Sequence, residues 1–222
     1  MNSYTVRDLQ ARLAALGHSP GPIDGVMGPR TEEAQDAALE ATGKAHPSCL
    51  FHSSGLHRIV MHWTGGAYGD IALERDLYHA LIDRHGRVIL GSKPPEANRG
   101  TNDGIYAAHT WRLNTGSIGV AVDAMAGAQE SPFDAGGAPI TRAQLDGLAV
   151  AVADFCETYD IPVSGYSVLT HAEVQPTLGV RQRWKWDITW LPGMARPGDP
   201  VEVGDRIRAM VANHMPESRD AA

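Results

Sequence analysis

Apolar positions along the chain follow two regimes. In roughly the first 45 residues the pattern is helical. Val6, Leu9, Leu13 and Leu16 recur every three or four residues, and Gly17 stands where such a helix would stop. Residues 17–29 are dense in turn formers, Thr31 is expected to cap a second helix running to about Ala41, and 43–48 reads as a linker. A unit this short has little core of its own.

Beyond it, short apolar runs alternate with helical stretches, which predicts an α/β unit. Arg58 to Thr64 is apolar on both faces and reads as a strand buried within a sheet. Leu77–Leu81 and Arg87–Leu90 flank the polar turn Asp83 to Gly86, a hairpin pattern, and Ser117–Val122 reads as another strand. Thr141 and Gln144 have capping-box spacing ahead of a helix carrying Leu145, Leu148, Val152, Phe155 and Tyr159 on one stripe. Tyr166–Thr170 reads as a strand ending at His171. An aromatic stretch, Trp184–Trp190, a Pro/Gly-rich segment, Pro192–Pro200, and a last helix over Val203–Asn213 follow, with a frayed tail expected from Pro216.

Composition narrows the classes. At 222 residues, 43% hydrophobic and 20% charged, the chain is of globular type, and 24 glycines and 14 prolines imply many loops. No apolar run approaches the ~20 residues that span a bilayer. Met1 to Asp8 has neither a basic nor an apolar signal region, so the expected location is the cytoplasm of the producing host. Two cysteines, Cys49 and Cys156, exclude a disulfide scaffold and read as buried reduced thiols. The net charge of −7 argues against a nucleic-acid partner and requires any binding of an acidic polymer to be local.

Three residues stand out chemically. His62 lies inside an apolar strand, where an imidazole must be hydrogen-bonded or ligated. His171 ends a strand, a common place for functional side chains. Asp187 sits among tryptophans and needs a cation partner, either Lys185 or a metal. Each alone has a structural reading. Together, two imidazoles and a carboxylate make a zinc donor set with a fourth position open to water. His18, His46, His52, His57, His85 and His214 read as solvated, and Trp63 and Trp186 as core packing more than site walls. HExxH, CxxC and GxSxG are absent.

Six stretches occur in the order found in a known family: Ile59–Thr64, Leu77–Gly86, Ala107–Thr110, Asn114–Val120, Val168–His171 and Lys185–Asp187. On these, residues 58–193 resemble the zinc-dependent N-acetylmuramoyl-L-alanine amidases, a family shared by phage lysozymes, bacterial wall amidases and peptidoglycan recognition proteins. The resemblance implies a central mixed β-sheet flanked by helices, with zinc on His62, His171 and Asp187. It implies that Lys185 faces the scissile carbonyl, that Tyr78 is an active-site tyrosine, and that His109 lies on the cleft wall, as a substrate contact or a structural hydrogen bond. His79, beside Tyr78, is expected to point the other way and be structural. Where a recycling branch carries glutamate this chain has Ala121, which points to the lysozyme-like branch. Val6–Gln10, Leu13, Leu16, Gly17, Pro20–Gly25, Gly28, Pro29, Thr31 and Ala34 resemble a small all-α peptidoglycan-binding module, although Ala38 and Leu39 replace its usual Phe-Gln. The expectation is a monomeric, zinc-dependent peptidoglycan amidase of phage or prophage endolysin type, with a wall-binding module at 1–46, a catalytic unit at 47–222, and no nucleic-acid or membrane partner. The alternatives are a non-catalytic recognition protein and an interbacterial amidase toxin.

Overall fold

The computed structural model describes residues 4–216, so the tail after Pro216 lies outside the described residues. Helices α1 (Val6–Ala15) and α2 (Pro29–Thr42) come first, followed by β1 (Arg58–Trp63), β2 (Ala80–Ile82), β3 (Val88–Leu90) and β4 (Ser117–Val122). The chain then forms α3 (Arg142–Tyr159), β5 (Val168–Thr170), α4 (His171–Leu178) and α5 (Pro200–Ala212). The sheet order is β3-β2-β4-β1-β5, with β1 parallel to both β4 and β5, and β3 antiparallel to β2. It is a mixed sheet flanked by helices beside a small helical module. No helix among the described residues is long and apolar enough to cross a membrane.

The apolar-on-both-sides character of β1 has its cause here: all six residues are buried between two parallel neighbours and under helices on both faces. Ile59, Met61 and Trp63 face the larger core, packed by Leu148 and Val152 of α3 and by Val203, Ile207 and Val211 of α5. Val60 faces the opposite side, against Leu169, α4 residues Val174 and Leu178, and Ala11 of α1. By alternation His62 shares that second face. The capping box of α3 forms as expected, and the Gln144 amide also donates to the carbonyls of Ile82 and Asp123, fastening the helix start to the strand ends.

The module has a core of Leu9, Leu13, Ala34, Ala38, Leu50 and Phe51. Burying each leucine contributes about 2 kcal/mol, and polar ties fasten the unit to the rest. Arg12 donates to the Asp160 carbonyl at 3.3 Å, and the Arg7 guanidinium reaches the Leu178 carbonyl as well as that of Ile23 within the module. Asp8, at N3 of α1, meets Arg58 at 2.5 Å, and Arg58 also donates to Ser117 at 2.9 Å.

Four local expectations are corrected. Thr31 does not cap α2: Gly28 is the N-cap and Pro29 opens the helix, because proline has no N–H to satisfy. The Thr31 hydroxyl is buried and donates to the Pro20 carbonyl. Within the expected linker and just after it, Pro47–Leu50 forms a 3-10 turn whose Leu50 joins the module core. Cys49 is exposed, while Cys156 is buried as expected. His57 is buried, with Nε2 3.3 Å from Asp8, in a space that exists because residue 116 is glycine: a Cβ there would lie 2.1 Å from the imidazole.

Candidate metal centre and cleft

The structure brings His62, His171 and Asp187 together although they come from three separate parts of the chain. His62 is carried by β1. His171 is the first residue of α4, with Thr170 as N-cap, so it stands at a strand-to-helix junction and not at a plain strand end. Glu173 completes that junction: its carboxylate accepts from the Thr170 N–H at 2.7 Å and pairs with Arg208 of α5 at 2.7 Å. The segment around Asp187 is irregular. It forms turns, with Arg183 and Trp184 at positive φ, and the Asp187 carbonyl accepts from the Ala172 N–H at 2.6 Å, which ties it to the first turn of α4.

Both imidazoles present Nδ1 to the same carboxylate oxygen. His62 Nδ1 and His171 Nδ1 each lie 3.1 Å from Asp187 Oδ2. One donor atom from each residue lies within 4.8 Å of the others. The outer nitrogens define the tautomers. Gln182 donates its amide N–H to the Trp111 carbonyl at 3.0 Å, so its Oε1 faces His171 Nε2 at 2.9 Å and accepts from it. His109 Nε2 lies 3.4 Å from the Ser117 carbonyl and is its donor, which leaves His109 Nδ1 to accept from His62 Nε2 at 3.2 Å. In neutral imidazoles with this wiring, both Nδ1 lone pairs point at a carboxylate oxygen that is itself an acceptor. Three acceptors converge with no proton assigned between them, an arrangement that a cation satisfies.

Burial lowers the His62 pKa to about 4, only partly offset by Asp187, so the ring is neutral and free to ligate at neutral pH. Burial pushes the Asp187 carboxyl up, but His171 first and then His62 more than reverse this and hold it below the usual carboxylate range. Two imidazole nitrogens and one carboxylate oxygen are a donor set suited to a catalytic zinc. The residues present fit that ion.

The other expected residues surround this centre. Tyr78 is half-buried just before β2, with its ring 5.1 Å from that of His62. Burial, then the charges of Asp187 and Glu74, raise its pKa and keep it a neutral phenol. Lys185 is exposed and lines a cleft of about 220 Å³ together with His109, Trp111, His171, Gln182 and Arg183. Among the described residues Lys185 forms no ion pair with Asp187, whose partners are the two imidazoles. His109 both lines the cleft and orients His62, and its ring fits because residue 119 is glycine: a Cβ there would lie 2.4 Å from it. His79 is not among the residues lining the cleft; it lies between Asn98 at 3.1 Å and the Gly119 N–H at 2.9 Å, with its ring 5.8 Å from that of His109. Trp63 and Trp186 meet edge to face at 4.5 Å against the larger core. Ala121, fully buried, pairs with His62 across the sheet. Sequence reasoning missed Gln182 and Thr110, the latter 2.8 Å from His109. No local pattern marks Gln182, whereas Thr110 closes the Ala107–Thr110 stretch without a role of its own there.

The molecule is thus a mixed-sheet α/β protein with a buried His-His-Asp centre at one end of the sheet. Residues 53–193 match the family profile described as N-acetylmuramoyl-L-alanine amidase (Amidase_2), so the chain belongs to that family. Residues 2–50 match a second profile, described as "Putative peptidoglycan binding domain". Among solved structures, the chain is similar to the amidase AmiD from E. coli in complex with its substrate anhydro-N-acetylmuramic acid-L-Ala-D-γ-Glu-L-Lys. That match has 22% identity and a TM-score of 0.39, over 53% of this chain and 48% of that one. It is similar to the amidase LysC from Clostridium intestinale, with 17% identity and a TM-score of 0.42 over 72% of this chain and 89% of that one. It is also similar to the Drosophila recognition protein PGRP-SD, with 20% identity and a TM-score of 0.38 over 60% and 77%. The chain spans about half of the AmiD structure's length. No curated protein sequence matches it significantly.

Proposed function

We propose that this protein is a zinc-dependent peptidoglycan hydrolase that cleaves the amide between N-acetylmuramic acid and L-alanine. The observation that carries the reading is the convergence of His62 Nδ1 and His171 Nδ1, each 3.1 Å from Asp187 Oδ2, in a chain of the family described as N-acetylmuramoyl-L-alanine amidase. His62, His171 and Asp187 would hold the ion. When bound, zinc supplies Lewis acidity, which activates water and polarises a carbonyl.

The chain's own residues do the rest. Lys185 places an ammonium at the mouth of the cleft, where it stabilises the negative charge that builds on the amide oxygen. Tyr78, kept protonated, orients water or the carbonyl with its O–H and does not serve as the proton acceptor. His109 and Gln182 fix the rings of His62 and His171 through their outer nitrogens. Ala121 offers no carboxylate at the position where the recycling branch has one, which favours a lysin acting on intact wall. The reading includes an endolysin of phage or prophage origin and the division into a wall-binding module, 1–46, and a catalytic unit, 47–222.

The test is digestion of purified sacculi, with mass spectrometry of the products and metal analysis of the same preparation. The expected products are intact glycan strands and free peptides bearing N-terminal L-alanine, from a protein with one zinc per chain. New reducing sugar ends, or undigested wall with the metal in place, overturn the proposal.

A further inference from the structure

We propose that Arg208, on the last helix, is a positioning residue for the metal centre. Through Glu173 it sets the first turn of α4, and that turn directs two of the three donor residues. This role rests on the metal reading of His62, His171 and Asp187. Three successive residues of the turn divide the work. His171 brings Nδ1 to 3.1 Å from Asp187 Oδ2. Ala172 donates its N–H to the Asp187 carbonyl at 2.6 Å, so the same turn also holds the backbone of a second donor residue. Glu173 is fully buried and reaches α5 instead. A tilt of this turn moves His171 and Asp187 with it, without any change in either side chain.

Arg208 is buried as well, and its guanidinium meets three elements. Nη1 donates to the Val168 carbonyl of β5 at 2.8 Å, while Nη2 donates to Glu173 Oε1 at 2.7 Å and to Asp205 Oδ1, one turn earlier on α5, at 2.7 Å. The other Glu173 oxygen accepts from the Thr170 N–H at 2.7 Å. Strand β5 is the last in the sheet order, so the chain passes from the sheet edge into α4 between these contacts. Val168 stands before His171 and Glu173 after it, and one planar fork grips both. Such a fork fixes an angle as well as a distance. Gln182 fixes how the His171 ring is turned, and Arg208 fixes where its backbone stands.

Gly204 makes room for this contact. A Cβ there would lie 2.0 Å from Glu173 Oε2, so the carboxylate lies against the bare backbone of α5. Glycine inside a helix costs about 1 kcal/mol relative to alanine, and here it leaves the space that the carboxylate occupies. A buried ion pair adds little stability over well-packed apolar side chains of the same volume. What this pair supplies is direction: it joins the edge of the sheet, the last helix and the turn that carries His171. Partners behind a metal ligand set affinity by fixing where the ligand atom points.

The test is the zinc Kd of the full-length protein, read by competition with a chromogenic chelator at a temperature where circular dichroism shows each variant folded. The visible absorption of the cobalt-loaded protein serves as a signature of donor geometry. Arg208→Met is expected to weaken zinc binding between about tenfold and a hundredfold and to change the cobalt spectrum. Arg208→Lys, which keeps a cation beside Glu173, should recover part of that loss. Gly204→Ala removes no polar group and favours the helix, so it tests the same contact if Arg208→Met does not fold. Its methyl displaces the Glu173 carboxylate and should weaken zinc binding about tenfold. Leu148→Ala, a cavity in the larger core, should lower stability and leave the zinc Kd and the cobalt spectrum as they are. An equal loss of affinity in Leu148→Ala overturns the proposal, because general loosening then accounts for the effect. A wild-type protein that binds no zinc overturns this role and the metal reading together. Zinc held equally tightly by the wild type and by the folded Arg208 and Gly204 variants overturns this role alone.

Discussion

The metal end of the sheet and the seam with the module each bury a carboxylate beside imidazoles, but only the seam is electrically complete. At the seam Asp8 faces the Arg58 guanidinium at 2.5 Å and His57 at 3.3 Å, so the protein supplies its own cation. At the metal end Asp187 faces two imidazole nitrogens at 3.1 Å, and the nearby ammonium of Lys185 is turned to the cleft instead of to the carboxylate. A fixed guanidinium makes a joint that cannot do chemistry, because its charge is fully engaged. A His-His-Asp centre that held a cation would keep a coordination position for a reactant. Strands β1 and β4 link the two sites: Arg58 and Ser117 open them, and His62 lies four residues along β1.

The comparison can be broken most severely at the metal end. His171→Ala should abolish stoichiometric zinc binding, read by metal analysis, and reduce wall digestion below detection. Retained zinc would remove His171 from the ligand set. Lys185→Ala sharpens the contrast between holding the ion and using it. Turnover should fall about a hundredfold while zinc content stays at wild-type level, and loss of zinc would refute its assignment to the cleft.

Asp8→Ala is the corresponding break at the seam. It leaves Arg58 and His57 buried without their carboxylate and should cost about 3 kcal/mol in denaturant unfolding, with zinc content unchanged. Acid should act on the same joint. Arg58 first and then His57 outweigh burial and hold the Asp8 carboxyl well below its usual value. Its contribution is therefore fully present above the unfolded value near 3.8 and is lost as pH falls toward the folded one.

The smallest effect belongs to His79, which ligates nothing. Burial lowers its pKa from 6.5 to about 4. Between those values the unfolded chain binds the extra proton, so His79 makes stability fall as pH drops through that window and level off below it. His79→Gln should flatten the slope of unfolding free energy against pH there. An unchanged slope would assign the acid sensitivity elsewhere.

Much of this arrangement was legible before folding. The two-sided apolar run of β1, the 3.6-residue stripe and capping box of α3, and the helical spacing of α1 are local patterns, and local patterns survive in a linear sequence. The ordered motifs pointed to the family, and His62, His171 and Asp187 stood out because polar groups in apolar surroundings need partners. Other features were misread where local rules compete with long-range ones. The Thr31 hydroxyl went to Pro20 instead of a helix end, and His57 passed for a loop histidine although Gly116 and Asp8 enclose it.

What the sequence determined, then, is which elements form and which side chains need a partner, since both follow from the spacing of neighbours. Which partner each one finds was decided only in three dimensions. His62 meets Asp187 across 125 positions, and Arg7 meets Leu178 across 171. The direction of each imidazole depends on His109, which a motif placed near the cleft without its partner, and on Gln182, which no motif places. Chain separation carries no angular information, and a lone pair is a direction, so the convergence of both Nδ1 atoms on one oxygen exists only after the sheet, α4 and the turns around Asp187 have packed together.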